Sequence, residues 1–168
     1  MYSRLLLSIF ALAVAVSGLP VAKRGSGAAI KVQSDSKFCF YLPPHRGGNI
    51  ADSENNAIPA CTDTSLASGS IQFPSGFIQS AHYVSTSGYV QVTGRIDRSK
   101  YGLKASDGGG QMDNLDLPKG TCNGYKHFVN LVEPDANVYC IRCCKDSDDC
   151  NLGKSQDGCE SVVPGNYS

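Results

Sequence analysis

Apolar and polar side chains alternate along two consecutive segments in the middle of the chain. In residues 89–96, YVQVTGRI, the apolar Val90, Val92 and Ile96 are separated by other, mostly polar residues. Successive side chains of a strand point to opposite faces, so this pattern predicts a half-buried β-strand. Residues 77–84, FIQSAHYV, form a second strand segment, and the polar stretch STSG between the two predicts a β-hairpin.

Three further short apolar segments have the composition of strands. Residues 38–42, FCFYL, end at a Pro-Pro pair, whose rings cannot donate the hydrogen bonds of a sheet ladder. Residues 127–132, HFVNLV, and residues 137–142, NVYCIR, are separated by the turn sequence EPDA. We therefore expect two more strands on either side of this turn.

Two long segments lack a strand or helix pattern. Residues 45–61 are mostly polar, and residues 97–120 are rich in glycine and aspartate, so both are predicted to be loops. No segment after the N-terminal apolar run shows a sustained helical period. The sequence predicts a mainly β, disulfide-rich single domain over residues 38–168, with long loops and at least one hairpin. Residues 25–37 are small and polar and are predicted to form a flexible arm.

The N-terminal residues have the features of a secretory signal peptide. One early arginine precedes an unbroken apolar run, residues 5–16, and small residues follow it. A membrane anchor is the alternative, but a span needs about 20 apolar residues and this run is shorter. We predict a signal peptide at residues 1–18 and a short pro-segment at residues 19–24, ending in a Lys-Arg processing site. That pair is alternatively an ordinary charged surface dipeptide.

The charge balance argues against some classes of partner. The chain has 15 Lys and Arg residues and 15 Asp and Glu residues. Removal of Arg4, Lys23 and Arg24 takes the 15 basic residues to 12, so the predicted mature chain is negative by three charges. Nucleic acids and anionic membranes require a basic surface, so we expect neither as a partner.

Cysteine content gives the strongest chemical signal. All eight cysteines follow the predicted processing site, and they are Cys39, Cys61, Cys122, Cys140, Cys143, Cys144, Cys150 and Cys159. An even number of cysteines in an oxidising compartment predicts four disulfides. A zinc or redox site is the alternative, but the chain has only one half of the paired CxxC pattern, and no strand-then-helix unit surrounds it.

Four of these cysteines lie in one short segment, YCIRCCKDSDDC, residues 139–150. The adjacent Cys143 and Cys144 cannot easily bond each other, and on a strand they point to opposite faces. We expect disulfides to hold this segment to the rest of the domain, with the two adjacent cysteines bonded to different partners. Eight cysteines allow on the order of a hundred pairings, so the sequence does not select among them.

The segment DGGGQMDNLD, residues 107–116, has the oxygen ligands and bent backbone of some calcium loops. It matches neither the EF-hand spacing nor the glycine-rich calcium repeat. Its glycines equally suit a tight turn that needs positive φ. Calcium binding is therefore a minor alternative, and we predict no metal and no cofactor.

Residue types suited to hydrolysis are present, but no catalytic arrangement is recognisable. No GxSxG nucleophile motif occurs. His82 lies within a predicted strand, where we expect a structural histidine. A carboxylate pair for glycoside cleavage requires a separation that the sequence does not give. A secreted hydrolase using loop carboxylates is therefore the alternative to a non-catalytic protein.

Five blocks, spread in order over most of the predicted mature chain, resemble one group of proteins. They are FCFYLPP, IADSE with ACT, YVQVTG, GGGQMD, and YCIRCC with the later GC. With these blocks the chain resembles the secreted, cysteine-rich fungal proteins of the macrophage-activating glycoprotein-like group. The resemblance implies an extracellular or wall-associated fungal protein, and it supplies no catalytic residue.

These observations predict a secreted, non-catalytic fungal protein that acts by binding, at the cell wall or as an effector on a host or neighbouring cell. Glycine- and carboxylate-rich loops on a rigid framework are where function tends to lie. We therefore place the binding surface on residues 45–56 and residues 106–116. The candidate residues are His45, Arg46, Asp52, Glu54, Asp107, Asp113 and Asp116. The expected ligand is extracellular, either a wall polysaccharide or a host protein.

Overall fold

The computed structural model describes residues 27–154 and 156–168, and the predicted signal peptide and pro-segment lie outside them. Short strands account for most of the regular structure, which confirms the prediction of a mainly β protein. The strands are β1 (Ala29–Ile30), β2 (Cys39–Leu42), β3 (Ile58–Cys61), β4 (Ile71–Gln72), β5 (His82–Ser85), β6 (Tyr89–Arg95), β7 (Gly110–Asp113), β8 (Thr121–Cys122), β9 (His127–Glu133) and β10 (Val138–Cys144).

Helical structure is limited to short pieces. The described residues contain one α-helix, α1 (Gly158–Val162). Short 3₁₀ helices lie in the connections, at Ala51–Ser53, Thr64–Leu66, Arg98–Tyr101 and Ser147–Cys150. None of the helices in the described ranges is long and apolar enough to cross a membrane.

Five antiparallel strands form the central sheet, in the order β5-β6-β10-β9-β7. β5 and β6 form the predicted hairpin. In their tight turn the Thr86 hydroxyl oxygen accepts hydrogen bonds from the N–H groups of Gly88 and Tyr89. Only the end of the predicted segment 77–84 is strand, because the Phe77 N–H donates to the Pro74 carbonyl in a turn and the strand begins later.

The second predicted hairpin is also confirmed. β9 and β10 pair along their whole length. Their connection includes Asn137 with a φ of 56°, a conformation that asparagine adopts more readily than most residues. The Asn137 N–H donates to the Pro134 carbonyl at 3.2 Å, which closes the turn.

Two strands lie in segments that the sequence predicts to be loops, so those two predictions are wrong in part. β7 lies inside residues 97–120 and pairs with β9, and β3 lies inside residues 45–61 and pairs with β2. Each has four residues, too few for an alternating pattern to be recognised. Pairing with a neighbour stabilises such strands more than their own composition does. Helix α1 is likewise too short to show a helical period.

The main core lies between one face of the central sheet and a smaller sheet of order β2-β3-β4. Aromatic rings fill it. The Tyr139 ring stacks on Phe40 and Phe38, with centroid distances of 4.6 and 5.9 Å, and Phe73 lies 4.7 Å from Phe40. Burial of each such side chain contributes about 1.5–3 kcal/mol, so this cluster supplies a large part of the stability.

The opposite face of the central sheet is polar at its centre and is covered by the C-terminal segment. Arg142 is buried there, donates to the Gln91 side chain at 2.8 Å and lies over the Tyr89 ring. Gln91 in turn donates to the Pro164 carbonyl at 2.9 Å. Hydrogen bonds to the sheet therefore hold the C-terminal segment in addition to its hydrophobic contacts.

Four disulfides are formed, as predicted, and three of them start from β10. Cys143 faces the aromatic core, whereas Cys140 and Cys144 belong to the cluster beneath the C-terminal segment. The two adjacent cysteines therefore bond different partners from opposite faces, as the period of a strand requires. The pairs are Cys39–Cys61, Cys122–Cys143, Cys140–Cys159 and Cys144–Cys150.

Part of the segment for which the sequence predicts a flexible arm packs on the domain. β1 pairs in parallel with β8, and the side chains of Ile30 and Val32 are buried. Gly27 approaches Gly120 so closely that a Cβ atom on Gly27 would lie 2.7 Å from the Gly120 Cα. The two isolated apolar residues of this segment therefore contribute to the core.

Candidate functional site

A buried carboxylate joins the two loops that are predicted to bind a ligand. Asp107 is only 5% exposed. Its Oδ2 accepts a hydrogen bond from the Ile50 N–H at 2.9 Å, and its Oδ1 accepts one from the Gly109 N–H at 3.0 Å. Asp107 thus fixes residues 45–56 against residues 106–116, and its oxygens are occupied by the protein itself.

Glu54 makes a second contact between the loops. Its Oε1 accepts a hydrogen bond from the Gln111 N–H at 3.1 Å, at the outer edge of β7. Gln111 is 5% exposed, and its side-chain amide donates to Asp113 Oδ2 at 3.0 Å. Among the described residues, the buried Gln111 Oε1 has no hydrogen-bond partner. Buried polar atoms without a partner are uncommon in native proteins.

Asp113 ends β7 and organises the turn that follows. Its Oδ1 accepts hydrogen bonds from the N–H groups of Leu115 at 2.5 Å and Asp116 at 3.3 Å. Burial, followed by the negative charges of Asp113 and Glu54, raises the pKa of Asp116 to about 6. The charges of Asp113 and Glu54 therefore both act on Asp116.

A polar cavity of about 330 Å³ opens beside these carboxylates. It is lined by the backbone of glycines 108–110, by Glu54, and by Glu133, Leu131 and Gln156. No Lys, Arg or His of the described chain lines it. We call this cavity, defined by Glu54, Glu133 and glycines 108–110, the acidic cleft.

Glu133 stands at the end of β9 and is half-buried. Its Oε2 accepts a hydrogen bond from the Cys159 N–H at 3.1 Å, which connects the acidic cleft to helix α1. Burial raises the pKa of Glu133, the hydrogen bond from Cys159 opposes this, and the charges of Asp135 and Glu160 raise the pKa further. Glu133 therefore keeps its proton to a higher pH than an ordinary glutamate.

The seven predicted binding residues lie in three kinds of location: in the lining of the cleft, buried or half-buried within the loops, and exposed outside the cleft. Only Glu54 lines the acidic cleft. Asp107 and Asp113 are buried and bonded within the loops, and Asp116 is half-buried beside Asp113. The other three are exposed and are not part of the cleft lining: His45, Arg46 and Asp52.

The sequence interpretation missed Glu133 and Gln156. Both are remote in sequence from the two predicted loops, and the topology brings them there. β9, which ends at Glu133, pairs with β7, and the Cys140–Cys159 disulfide ties the segment around Gln156 to the central sheet. The one indication in the sequence concerned Glu133, a carboxylate that directly follows the apolar segment of residues 127–132.

A larger and more apolar groove of about 520 Å³ lies along β1. Its lining includes Ala29, Ile30, Val32 and Tyr83, and Lys31 is its one charged residue among those described. None of the predicted site residues lines this groove. The acidic cleft is the better candidate site, because the two predicted loops meet there and two carboxylates, Glu54 and Glu133, line it.

The chemistry open to the acidic cleft is limited. In residues 27–154 and 156–168, no group of three or more His, Cys, Asp or Glu side chains is arranged to hold a metal ion. The calcium alternative therefore gains no support. The carboxylates of Glu54 and Glu133 are suited to binding cationic or hydroxyl-bearing groups.

Comparisons with known proteins give distant similarities only. No protein-family model and no solved structure matches the chain. Appressorium protein ROW1 of the fungus Mycosarcoma maydis is 29% identical over 157 residues, covering 81% of this chain and 36% of ROW1. Appressorium protein ROW2 of the same fungus is 33% identical over 86 residues, covering 50% of this chain and 29% of ROW2. The chain thus spans about a third of the length of these relatives.

The fold and these similarities together define a small, disulfide-bonded β protein that is distantly similar to fungal appressorium proteins. Both fit a non-catalytic fungal protein. Neither similarity bears on the macrophage-activating glycoprotein-like group, so that resemblance stays a prediction.

Proposed function

We propose that this protein is a secreted, non-catalytic fungal module that binds an extracellular ligand at the acidic cleft. One observation carries the proposal: Asp107 and Glu54 join the two predicted loops and hold the walls of one polar cavity. Pre-organised walls lower the entropic cost of binding, because they do not need to be ordered when the ligand arrives.

Three features support secretion. The N-terminal residues have the pattern of a signal peptide. All eight cysteines are paired, which fits an oxidising compartment. The two relatives are named as fungal appressorium proteins, which supports the proposal that this protein acts at or outside the surface of a fungal cell, as a wall component or as an effector. Membership of the macrophage-activating glycoprotein-like group is part of the same proposal.

A secreted hydrolase is the second candidate function. Glu54 and Glu133 line one cavity, and Glu133 has a raised pKa, which is what a general acid requires. Two other loop carboxylates, Asp107 and Asp113, are less suited to this role because they are buried and hydrogen-bonded within the protein. Turnover of a glycan or peptide that Glu133→Gln abolishes, with binding retained, favours this candidate over binding alone.

The proposed function is tested by secretion and binding together. The full chain is expressed in a fungal host, the mass of the protein in the medium is measured, and that protein is titrated with soluble wall polysaccharides and purified host surface proteins. We expect a processed, fully oxidised protein that binds at least one of them saturably. Retention inside the cell, or no saturable binding to either class, contradicts the proposal.

A further inference from the structure

Residues 166–168, NYS, form the one Asn-X-Ser/Thr triplet of the sequence. Every other asparagine is followed two positions later by a residue other than serine or threonine. Such a triplet is the acceptor for N-glycosylation, a modification of surface segments in secreted proteins. The pattern of a signal peptide at residues 1–18 directs the chain into the pathway where this modification takes place.

The structure holds the backbone around Asn166 and leaves the residue itself exposed. The Thr93 hydroxyl donates to the Asn166 carbonyl oxygen at 2.7 Å. The neighbouring Gly165 packs so closely on the sheet that a Cβ atom there would lie 2.8 Å from Thr93 Oγ1. The Tyr167 hydroxyl donates to the Val163 carbonyl oxygen at 2.7 Å. A group attached to the Asn166 side chain therefore extends into solvent without displacing these contacts.

The side-chain amide of Asn166 has one occupied atom and one available atom. Its Oδ1 accepts a hydrogen bond from the Ser168 N–H at 2.9 Å, which brings the two recognised residues of the triplet together. Within the described ranges, no hydrogen bond uses Asn166 Nδ2, the atom that glycosylation modifies. Because a glycosylated asparagine keeps its amide oxygen, the bond to Ser168 is retained after attachment.

Asn166 lies beside the last strand of the central sheet. Thr93, which holds its backbone, is paired with His82 of β5. His82 Nε2 lies 3.1 Å from the Ser168 carbonyl oxygen. Among the described residues, β5 is an end strand of its sheet and pairs with β6 alone. Neighbouring strands lie only about 4.8 Å apart, so a glycan of several sugars on Asn166 extends over the outer edge of β5.

This edge lacks the usual protection against pairing with another chain. Exposed edge strands present unpaired backbone groups, and charged side chains or proline normally prevent such pairing. Residues 64–94, which include β5 and β6, contain no Asp, Glu, Lys or Arg, and β5 itself contains no proline. Val84 of β5 is 40% exposed. A hydrophilic glycan beside β5 supplies the protection that the sequence of the strand does not.

We propose that Asn166 carries an N-linked glycan that covers the outer edge of β5. In the transfer, a bond forms between Asn166 Nδ2 and the anomeric carbon of an oligosaccharide carried on a lipid pyrophosphate. The bond from that carbon to the pyrophosphate oxygen breaks, the amide loses one proton, and the lipid pyrophosphate leaves. This assignment rests on the secretion that is part of the proposed function, and it concerns a residue outside the acidic cleft.

The test uses the full chain expressed in a fungal host. The intact mass of the secreted protein is measured before and after digestion with an endoglycosidase that cleaves N-linked glycans. Asn166→Gln removes the acceptor amide of the triplet, Ser168→Ala removes the recognised hydroxyl, and Ser168→Thr keeps a hydroxyl. Asn55→Gln is the matched control, because Asn55 is exposed and belongs to no such triplet.

We expect one glycan per chain in the wild type, in Ser168→Thr and in Asn55→Gln, and none in Asn166→Gln or Ser168→Ala. A secreted wild-type protein without an N-linked glycan overturns the inference and leaves the proposed function standing. Retention of an unglycosylated chain inside the cell contradicts both.

Sedimentation velocity tests the covering of the β5 edge. Asn166→Gln should self-associate at concentrations at which the glycosylated wild type stays monomeric, and adding Val84→Lys to Asn166→Gln should restore the monomer. Equal sedimentation behaviour of the wild type and Asn166→Gln, both monomeric, overturns the protective role of the glycan.

Discussion

The Asp107 carboxylate accepts a hydrogen bond from the Ile50 N–H at 2.9 Å, across 57 positions of sequence. This contact joins two segments that the sequence presents as separate polar loops. The same carboxylate also accepts from the Gly109 N–H, so it fixes the shape of the glycine loop. The geometry of the acidic cleft therefore depends on a residue that does not line it.

Replacement of Asp107 by alanine should destabilise the protein substantially. Asp107→Ala leaves the buried Ile50 N–H and the part-buried Gly109 N–H without an acceptor, and we expect a loss of roughly 3 kcal/mol in the free energy of unfolding. Urea unfolding followed by circular dichroism measures this. Asp35→Ala, at an exposed position, should stay within about 0.5 kcal/mol of the wild type. An unchanged midpoint for Asp107→Ala shows that the two loops are not joined in this way.

Two neighbouring glycines should respond differently to substitution. Gly109 has a φ of 96°, and a Cβ atom there would lie 2.3 Å from the Val132 carbonyl oxygen. Gly109→Ala should therefore lower the free energy of unfolding by about 2 kcal/mol or more. A Cβ atom on Gly108 would meet no other atom within 4 Å, so Gly108→Ala should change stability by about 0.5 kcal/mol or less. Equal effects of the two substitutions contradict the loop geometry.

The Cys140–Cys159 disulfide should stabilise the protein more than the Cys144–Cys150 disulfide. Their sequence separations are 19 and 6, and the entropy lost by the unfolded chain grows with the length of the closed loop. Double alanine replacement should cost roughly 3 kcal/mol for Cys140 and Cys159 and roughly 2 kcal/mol for Cys144 and Cys150. Thermal and urea unfolding of both variants measure the difference. If removal of Cys144–Cys150 costs more free energy of unfolding than removal of Cys140–Cys159, loop entropy does not dominate the stabilisation by these disulfides.

Asp116 should make stability depend on pH. Its pKa rises from 3.8 in the unfolded chain to about 6 in the folded one, so the folded state binds the proton more tightly. The resulting stability is fully present below about pH 4 and is lost as the pH rises through 6. Because Asp116 is partly solvated, we expect Asp116→Asn to be more stable than the wild type at neutral pH by only about 1 kcal/mol.

Unfolding midpoints in urea between pH 4 and pH 7 test this prediction. The Asp116→Asn variant should show a shallower decline with rising pH than the wild type. Some decline should persist, because burial also raises the pKa of Glu133. Asp35→Asn, an exposed control, should follow the wild-type curve. If the urea midpoint of Asp116→Asn falls with rising pH as steeply as that of the wild type, Asp116 is not the source of the pH dependence.

The two hairpins were readable from the sequence because β6 alternates and because β9 and β10 are apolar along most of their length. β6, β9 and β10 have seven residues each, and their apolar positions face one or other side of a sheet. β7 was not readable, because its sequence GQMD contains one apolar residue, Met112. Its position is set by pairing with β9 and by the Glu54 bond to Gln111, which are long-range interactions.

The candidate site was predictable only in part for a similar reason. Local composition drew attention to the loops containing Glu54 and Asp107, and the structure does bring those loops together. Composition does not distinguish a carboxylate that lines a cavity from one that is buried in hydrogen bonds. Glu133 joins the site through sheet topology, for which no local pattern exists.

The covalent arrangement around β10 bears on how the protein withstands proteases. A single cut after Lys126, Lys145 or Lys154, all exposed, breaks the backbone but leaves the two fragments joined through Cys122–Cys143, Cys144–Cys150 or Cys140–Cys159. A nicked molecule therefore stays in one covalent piece, heavier by one water, until its disulfides are reduced, and its acidic cleft keeps walls drawn from both fragments. In the proposed extracellular setting, one strand that anchors three disulfides limits the effect of a single cleavage to a local opening.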